Sequence, residues 1–271
     1  MSPPVVPRPA ATIALVRDLA AGFEVLMMQR NLNSGFMAGA YVFPGGAVDD
    51  EDRDCGLYAL CAGIDDAEAS RRLGVERDGL AYWVGAIREC FEEAGLLLCY
   101  DRSGELLALN DAALAARLAA HRDALNAGSL GFLEFCRMED LRLATDRLTY
   151  FSHWITPVGA PRRYDTRFFA AAAPIDQEPL HDAKEMVDTV WVRPHEALQR
   201  ERDGTLSLRT PTIATLRQLG ASPDSASLLQ ALAAQKHIKA ILPVIGDDGG
   251  RILPGEAGYS EAARNPAPKW T

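Results

Sequence analysis

An α/β (α+β) fold built on a mixed β-sheet follows from three features of the sequence. Short runs rich in β-branched and apolar residues recur as far as Val192. Between them lie segments whose apolar residues repeat at helical spacing. The two kinds do not alternate regularly, as a doubly wound parallel sheet would require.

Residues 11–16 and 23–29 read as a β-hairpin, with the turn at 18–22. A third strand at 41–43 ends at Pro44-Gly45-Gly46, where proline stops the ladder and the glycines permit tight geometry. Residues 49–79 are acidic and hold a short helix at 65–73; the span from about 53 to 79 reads as an insertion. Residues 80–94 are helical by period, and Gly95 stands where a left-handed cap falls. A strand at 96–100, helices at 110–126 and 132–138, and strands at 148–156, 167–173 and 189–192 complete the pattern. After Pro194 the chain is helical at 212–219 and 226–239, then Gly/Pro-rich. The expected organisation is a disordered or extended N-terminus over 1–10 and one domain over 11–200. Residues 201–271 form a helical C-terminal extension and tail packed on that domain, with no internal repeat.

The chain has 271 residues, 48% of them hydrophobic, enough to close a core without staples. A net charge of −9 argues against broad affinity for nucleic acid or an anionic membrane, so a phosphate-bearing ligand would need local cations. The five cysteines include no CxxC pair, which excludes a disulfide framework or a zinc site as the organising feature and fits a reducing cytoplasm. Neither a signal-peptide core nor a membrane-length apolar run is present.

The chemistry is concentrated in Arg88-Glu89-Cys90-Phe91-Glu92-Glu93-Ala94-Gly95-Leu96. On a helix, Glu89, Glu92 and Glu93 stand at i, i+3 and i+4, so their carboxylates share one face. Trp83, Ile87, Cys90, Phe91 and Ala94 occupy the opposite arc, and Gly85 lies on the acidic side, where a missing side chain leaves room for a ligand. Like charges this close repel unless a cation joins them, and hard carboxylate oxygens suit Mg²⁺ or Mn²⁺ with a phosphate as co-ligand. A Glu-rich helix face alone is more often merely solvated.

This string, preceded by a strand running into Phe43-Pro44-Gly45-Gly46, resembles the Nudix box, G-x5-E-x7-R-E-U-x-E-E-x-G-U, where U is a bulky apolar residue. The second half matches, with Cys90 as a smaller apolar residue. The first half departs: Asp52 stands where the pattern has glutamate, and a long stretch separates it from Arg88. A box split in this way resembles the peroxisomal Nudix coenzyme A diphosphatases and their bacterial relatives. Leu26-Met27-Met28-Gln29-Arg30, Gly35-Phe36-Met37, His153-Trp154-Ile155-Thr156-Pro157 and Tyr164-Asp165-Thr166-Arg167-Phe168-Phe169 extend the likeness over residues 11–215 or so.

The resemblance implies the Nudix fold, a mixed sheet sandwiched between helices, and a hydrolase that cuts the diphosphate of a nucleoside diphosphate linked to another group. It implies Glu92 and Glu93 as principal ligands of Mg²⁺ or Mn²⁺, with Glu89 either a further ligand or the group that orients or deprotonates water. Arg88 would fix carboxylate geometry by a bidentate contact with Glu92. Gly45 and Gly46 would offer main-chain oxygen to metal or close approach to phosphate. Glu185 lies where many Nudix enzymes carry an additional catalytic glutamate, and Asp52 would serve a structural cap or reach metal through water. Arg30 and Arg167 are expected on the substrate phosphates, whereas Arg163 reads better as a surface charge; His153 and His181 receive no role. Coenzyme A or an acyl derivative is the expected substrate, with ADP-ribose, NADH and dinucleoside polyphosphates as alternatives. A Nudix-fold regulator that binds a nucleotide without cutting it is the alternative of another class. Many Nudix enzymes are dimers, so the resemblance allows a homodimer, while the sequence itself does not fix the oligomeric state.

Overall fold

β1 (Arg8–Asp18) is the strand on which the sheet is built. Its side chains alternate between two buried faces: Ile13 and Leu15 enter one core, Ala14 and Val16 the other, and none is more than 1% exposed. The computed structural model describes residues 5–33, 37–182, 184–247 and 249–264. Gly35 and Phe36, part of the resemblance, and the tail from Pro266 lie outside them.

β1 turns into β2 (Phe23–Arg30), antiparallel to it only through Val16↔Val25 to Asp18↔Phe23. The strands then diverge. β3 (Tyr41–Val42) pairs with the far end of β2, and β4 (Gly45–Ala47) takes the vacated edge of β1, with Thr12↔Gly45 and Ala10↔Ala47. The two glycines therefore do not merely stop a strand, as expected from the sequence; they form one. Gly45 has φ +150°, and a Cβ there would lie 2.3 Å from the Ala11 carbonyl oxygen, so only glycine can run this close to β1.

The expected insertion holds two helices, α1 (Cys55–Leu60) and α2 (Asp66–Leu73), begun by the side chains of Asp54 and Asp65. Leu57, Ala69 and Leu73 pack into the main core against α3 (Leu80–Ala94), whose bounds match the periodicity. Gly95 closes α3 with φ +70°. The strand expected at 96–100 is reduced to β5 (Cys99–Tyr100), because the Gln177 side chain takes both the N–H and the carbonyl of Leu97 and leaves no ladder to form.

α4 (Ala112–Asn126) and α5 (Phe132–Met138) cover the same face as α3, and β6 (Arg142–Leu143) pairs with β5. β7 (Thr149–Ile155) and β8 (Tyr164–Ala172) extend the main sheet, β8 lying parallel to β1 from Arg8↔Tyr164 to Val16↔Ala172. β1 thus starts at Arg8, inside the stretch expected to be disordered or extended. β9 (Met186–Val192) pairs with β2.

α6 (Pro194–Arg202), α7 (Thr210–Leu219) and α8 (Ser225–Ala233) bury Ala197, Leu216, Leu219, Leu228 and Leu232 on the second face of the sheet. The helix expected over 226–239 ends at Ala233, and strands form in the stretch expected to be a Gly/Pro-rich tail. β10 (Ala240–Ile241) joins the sheet parallel to β7, β11 (Val244–Ile245) pairs with β12 (Arg251–Ile252), and α9 (Tyr259–Arg264) follows. The apolar, β-branched run at 240–245 favours extended chain once an open sheet edge is at hand.

Trp83 of α3 is fully buried, its ring 4.6 Å from that of Phe169 on β8. Trp83→Ala should lower stability by about 3–5 kcal/mol in urea unfolding, and a loss below about 1 kcal/mol would mean that this contact does not anchor α3 to the sheet.

Candidate active site

The acidic end of α3 lies against β4 and the turn that follows it. Arg88 organises this junction. Its Nε and Nη2 hold Asp52 bidentately at 2.8 and 2.9 Å, Nη2 also reaches the Ala47 carbonyl at 3.0 Å, and Nη1 donates to Glu89 at 3.0 Å and Glu92 at 3.1 Å. A guanidinium has five N–H groups, and these contacts use all of them. The bidentate partner is therefore Asp52 and not Glu92. Asp52 is completely buried and also accepts the Asp49 N–H at 2.8 Å, so the residue in the place of the first box glutamate is an anchor for Arg88. The room expected beside Gly85 is taken by the same carboxylate, since a Cβ at Gly85 would stand 3.0 Å from Asp52 Oδ2.

The glycine strand brings main chain onto the acids. The Gly45 N–H donates to Glu93 Oε2 at 2.8 Å, and a Cβ on Gly46 would lie 2.5 Å from Glu89 Oε1. Burial pushes the Glu89 carboxyl up to about 7 against the pull of Arg88, with Glu92 raising it further. Burial also raises Glu92 against the same guanidinium, and it raises Glu93 well above the ordinary range with Glu89 adding to the effect. One saturated arginine does not neutralise this cluster.

Arg30, at the end of β2, and Glu185, just before β9, lie beside Glu93: Arg30 Nη2 is 3.6 Å from Glu185 Oε2, and both charges are felt at Glu93. The Glu185 side chain is 64% exposed. Arg167 is not brought to the carboxylates. It is buried on β8 over the Tyr82 ring, bonded to His153 and Asp165. Arg163 is not a surface charge; it is buried and donates to the carbonyls of Thr156 and Val5, tying the N-terminal segment to the sheet. His153 is paired with Asp165.

Two residues unmarked by the motif reach the same helix end: Arg122 and Asn126 of α4 donate to the main-chain carbonyls of Glu92 and Glu93. The sequence signal was available in the spacing of Leu118, Arg122 and Leu125, which puts an arginine within a buried stripe. A cavity of about 350 Å³ opens beside Glu92, bounded by Asp49, Glu51, Arg88 and residues 128–131.

Among the described residues, no three His, Cys, Asp or Glu side chains converge as they stand to hold a metal ion. Glu93 is turned to Gly45, while Glu89 and Glu92 are turned to Arg88. The donor set nevertheless suits a hard divalent cation, because two of three crowded carboxylates share one nitrogen of a fully used guanidinium and the third has a main-chain N–H.

A family model described as the NUDT19 Nudix domain matches residues 65–219. The acyl-coenzyme A diphosphatase NUDT19 of Homo sapiens is 30% identical over 277 residues, spanning 89% of this chain and 74% of that protein. Its counterpart of the same name in Gallus gallus is 29% identical over 280 residues, spanning 88% and 73%. Among solved structures, a NUDIX hydrolase from Alicyclobacillus acidocaldarius matches with a TM-score of 0.67 at 28% identity, over 85% of this chain and 98% of that one.

A carboxyl whose folded-state pKa is raised holds its proton more tightly folded than unfolded, so its contribution to stability is lost as pH rises. For Glu89 that loss runs from the ordinary value of 4.5 through about 7. In chelator-treated protein Tm should fall between about pH 5 and pH 8, and Glu89→Gln should flatten that fall. Parallel pH profiles for wild type and variant would show that Glu89 carries no such linkage.

Proposed function

This chain belongs to the NUDT19 family of Nudix diphosphatases, and we propose that its substrate is coenzyme A or an acyl-coenzyme A, cut at the diphosphate by water with the help of Mg²⁺ or Mn²⁺. The observation that carries the reading is the crowding of Glu89 and Glu93 against the Gly45–Gly46 backbone with Glu92 beside them, where Arg88 has only Nη1 to offer Glu89 and Glu92 and none of its N–H groups reaches Glu93. The cation would be held by Glu92 and Glu93, with Glu89 beside them, and would supply a lowered pKa for water and an offset for charge gathering on the phosphate oxygens. Arg88 keeps Glu89 and Glu92 in place and touches no substrate. Glu89, poised near neutrality, accepts the proton of the attacking water. The water oxygen bonds to phosphorus, the phosphorus bond to the bridging oxygen breaks, and that oxygen leaves as part of the second phosphate. The products are a phosphopantetheine, acylated or free, and adenosine 3′,5′-bisphosphate.

Glu185 is the less suitable base, being exposed and paired with Arg30; it shapes the charge around Glu93 instead. Arg30 is the arginine best placed for a substrate phosphate, while the burial of Arg167 favours a structural part for it. Among the described residues no helix is long and apolar enough to cross a membrane. The five cysteines are all free, which supports a reducing compartment such as the cytoplasm.

Coenzyme A, acetyl-coenzyme A, ADP-ribose, NADH and diadenosine tetraphosphate should be offered with Mg²⁺ or Mn²⁺ while product release is followed. Metal-dependent cleavage of the coenzyme A compounds, reduced at least about 100-fold in Glu92→Gln, is expected. Preference for another compound would overturn the substrate, and binding without cleavage would favour the regulator. Gly46→Ala should lower kcat at least about tenfold with little change in Tm, since the added Cβ displaces the Glu89 carboxylate. Unchanged kcat would show that the acid need not lie against β4.

A further inference from the structure

Glu92 and Glu93 stand in the last turn of α3, where a helix ordinarily frays because its final carbonyls lack partners. Here each of the final four is satisfied. Phe91 O accepts from the Gly95 N–H at 2.9 Å, and Ala94 O from the Leu180 N–H at 2.8 Å. The two between them belong to the acids. Arg122 Nε donates to Glu92 O at 3.0 Å, Arg122 Nη2 donates to Glu93 O at 2.7 Å, and Asn126 Nδ2 adds a second donor to Glu92 O at 3.2 Å.

The rigid guanidinium fork spans two consecutive carbonyls, so it sets the spacing of the very peptide units that carry both acids. Arg122 is 7% exposed and stands in line with the buried Leu118 and Leu125, where an apolar side chain would pack at no desolvation cost. Its charge also lies at the negative end of the helix dipole, beneath a cluster short of cations. Gly95 makes the approach feasible: a Cβ there would lie 3.2 Å from Arg122 Nη1. The final glycine of the box thus serves both the left-handed turn and the entry of an arginine from outside the box.

We propose that Arg122 is a positioning residue of the diphosphatase, locking the last turn of α3 so that Glu92 and Glu93 present their carboxylates together. The inference rests on the reading of those two acids as the metal-holding pair. Nothing in it requires Arg122 to touch substrate.

Mn²⁺ affinity, measured by electron paramagnetic resonance without substrate, and steady-state hydrolysis of acetyl-coenzyme A separate this role from plain stability. Arg122→Met should weaken Mn²⁺ binding at least about fivefold and lower kcat at least about tenfold, with KM within about twofold of wild type. Arg122→Lys should recover part of both losses, since an ammonium can serve one of the two carbonyls. Leu118→Ala, a core truncation on the same helix, should lower Tm and leave both readouts unchanged. The proposal is overturned if Arg122→Met keeps wild-type Mn²⁺ affinity and kcat, or if Leu118→Ala reproduces the losses. Should Arg122→Met fail to fold, Arg122→Lys decides: wild-type values overturn the proposal and intermediate values support it. Wild-type protein that binds Mn²⁺ but cuts no coenzyme A compound would refute the function proposed above, while the Mn²⁺ comparison would still decide the part played by Arg122.

Discussion

The buried contact between Arg88 and Asp52 is the constraint around which the acidic end of α3 is arranged. A guanidinium and a carboxylate taken out of water cost several kcal/mol each unless their hydrogen bonds are met, and here the five N–H groups of Arg88 all find acceptors. Asp52 comes from the turn after β4 and Arg88 from the middle of α3, so the pair ties the strand carrying Gly45 and Gly46 to the helix carrying the glutamates. The remaining nitrogen, Nη1, divides itself between Glu89 and Glu92.

That arrangement leaves an electrostatic debt that the protein meets only in part. Glu93 has a main-chain N–H from Gly45 and the more distant charge of Arg30, with Glu185 acting against it. The raised proton affinities of Glu89, Glu92 and Glu93 express the same shortage in another form. A diphosphatase could use this shortage, because a divalent cation bound by carboxylates ordinarily takes its remaining ligands from water and a substrate phosphate.

The layers of the fold explain why the site is where it is. β1 and β2 separate after their first few pairs, and β4 enters beside β1 in the space so opened. α3 crosses that face of the sheet, pinned at its first turns by Trp83 against Phe169 and at its last by α4 and the segment before β9. The inserted helices α1 and α2 belong to the same core as α3, so splitting the box did not move its second half away from its first.

α3 was legible in full because its apolar period, its acids and Gly95 are all local, and local preference agrees there with tertiary demand. The hairpin, the mixed sheet and the grouping of Glu89, Glu92 and Glu93 were legible for the same reason. Elements whose existence depends on a distant partner were not. β10 exists because β7 offers an edge, β5 is short because Gln177 intercepts Leu97, and the glycines form β4 because β2 has left β1. The contacts of Arg122, Arg163 and Arg167 are likewise decided by packing, since an arginine in a sequence carries no mark of which carbonyl, ring or carboxylate will surround it. The sequence by itself determined the α3 helix, its acidic face and the chemistry that hard, crowded carboxylates suit. Tertiary structure alone decided that Asp52 anchors Arg88 and that Arg122 closes the helix end, because both contacts join residues more than a helix length apart in the chain.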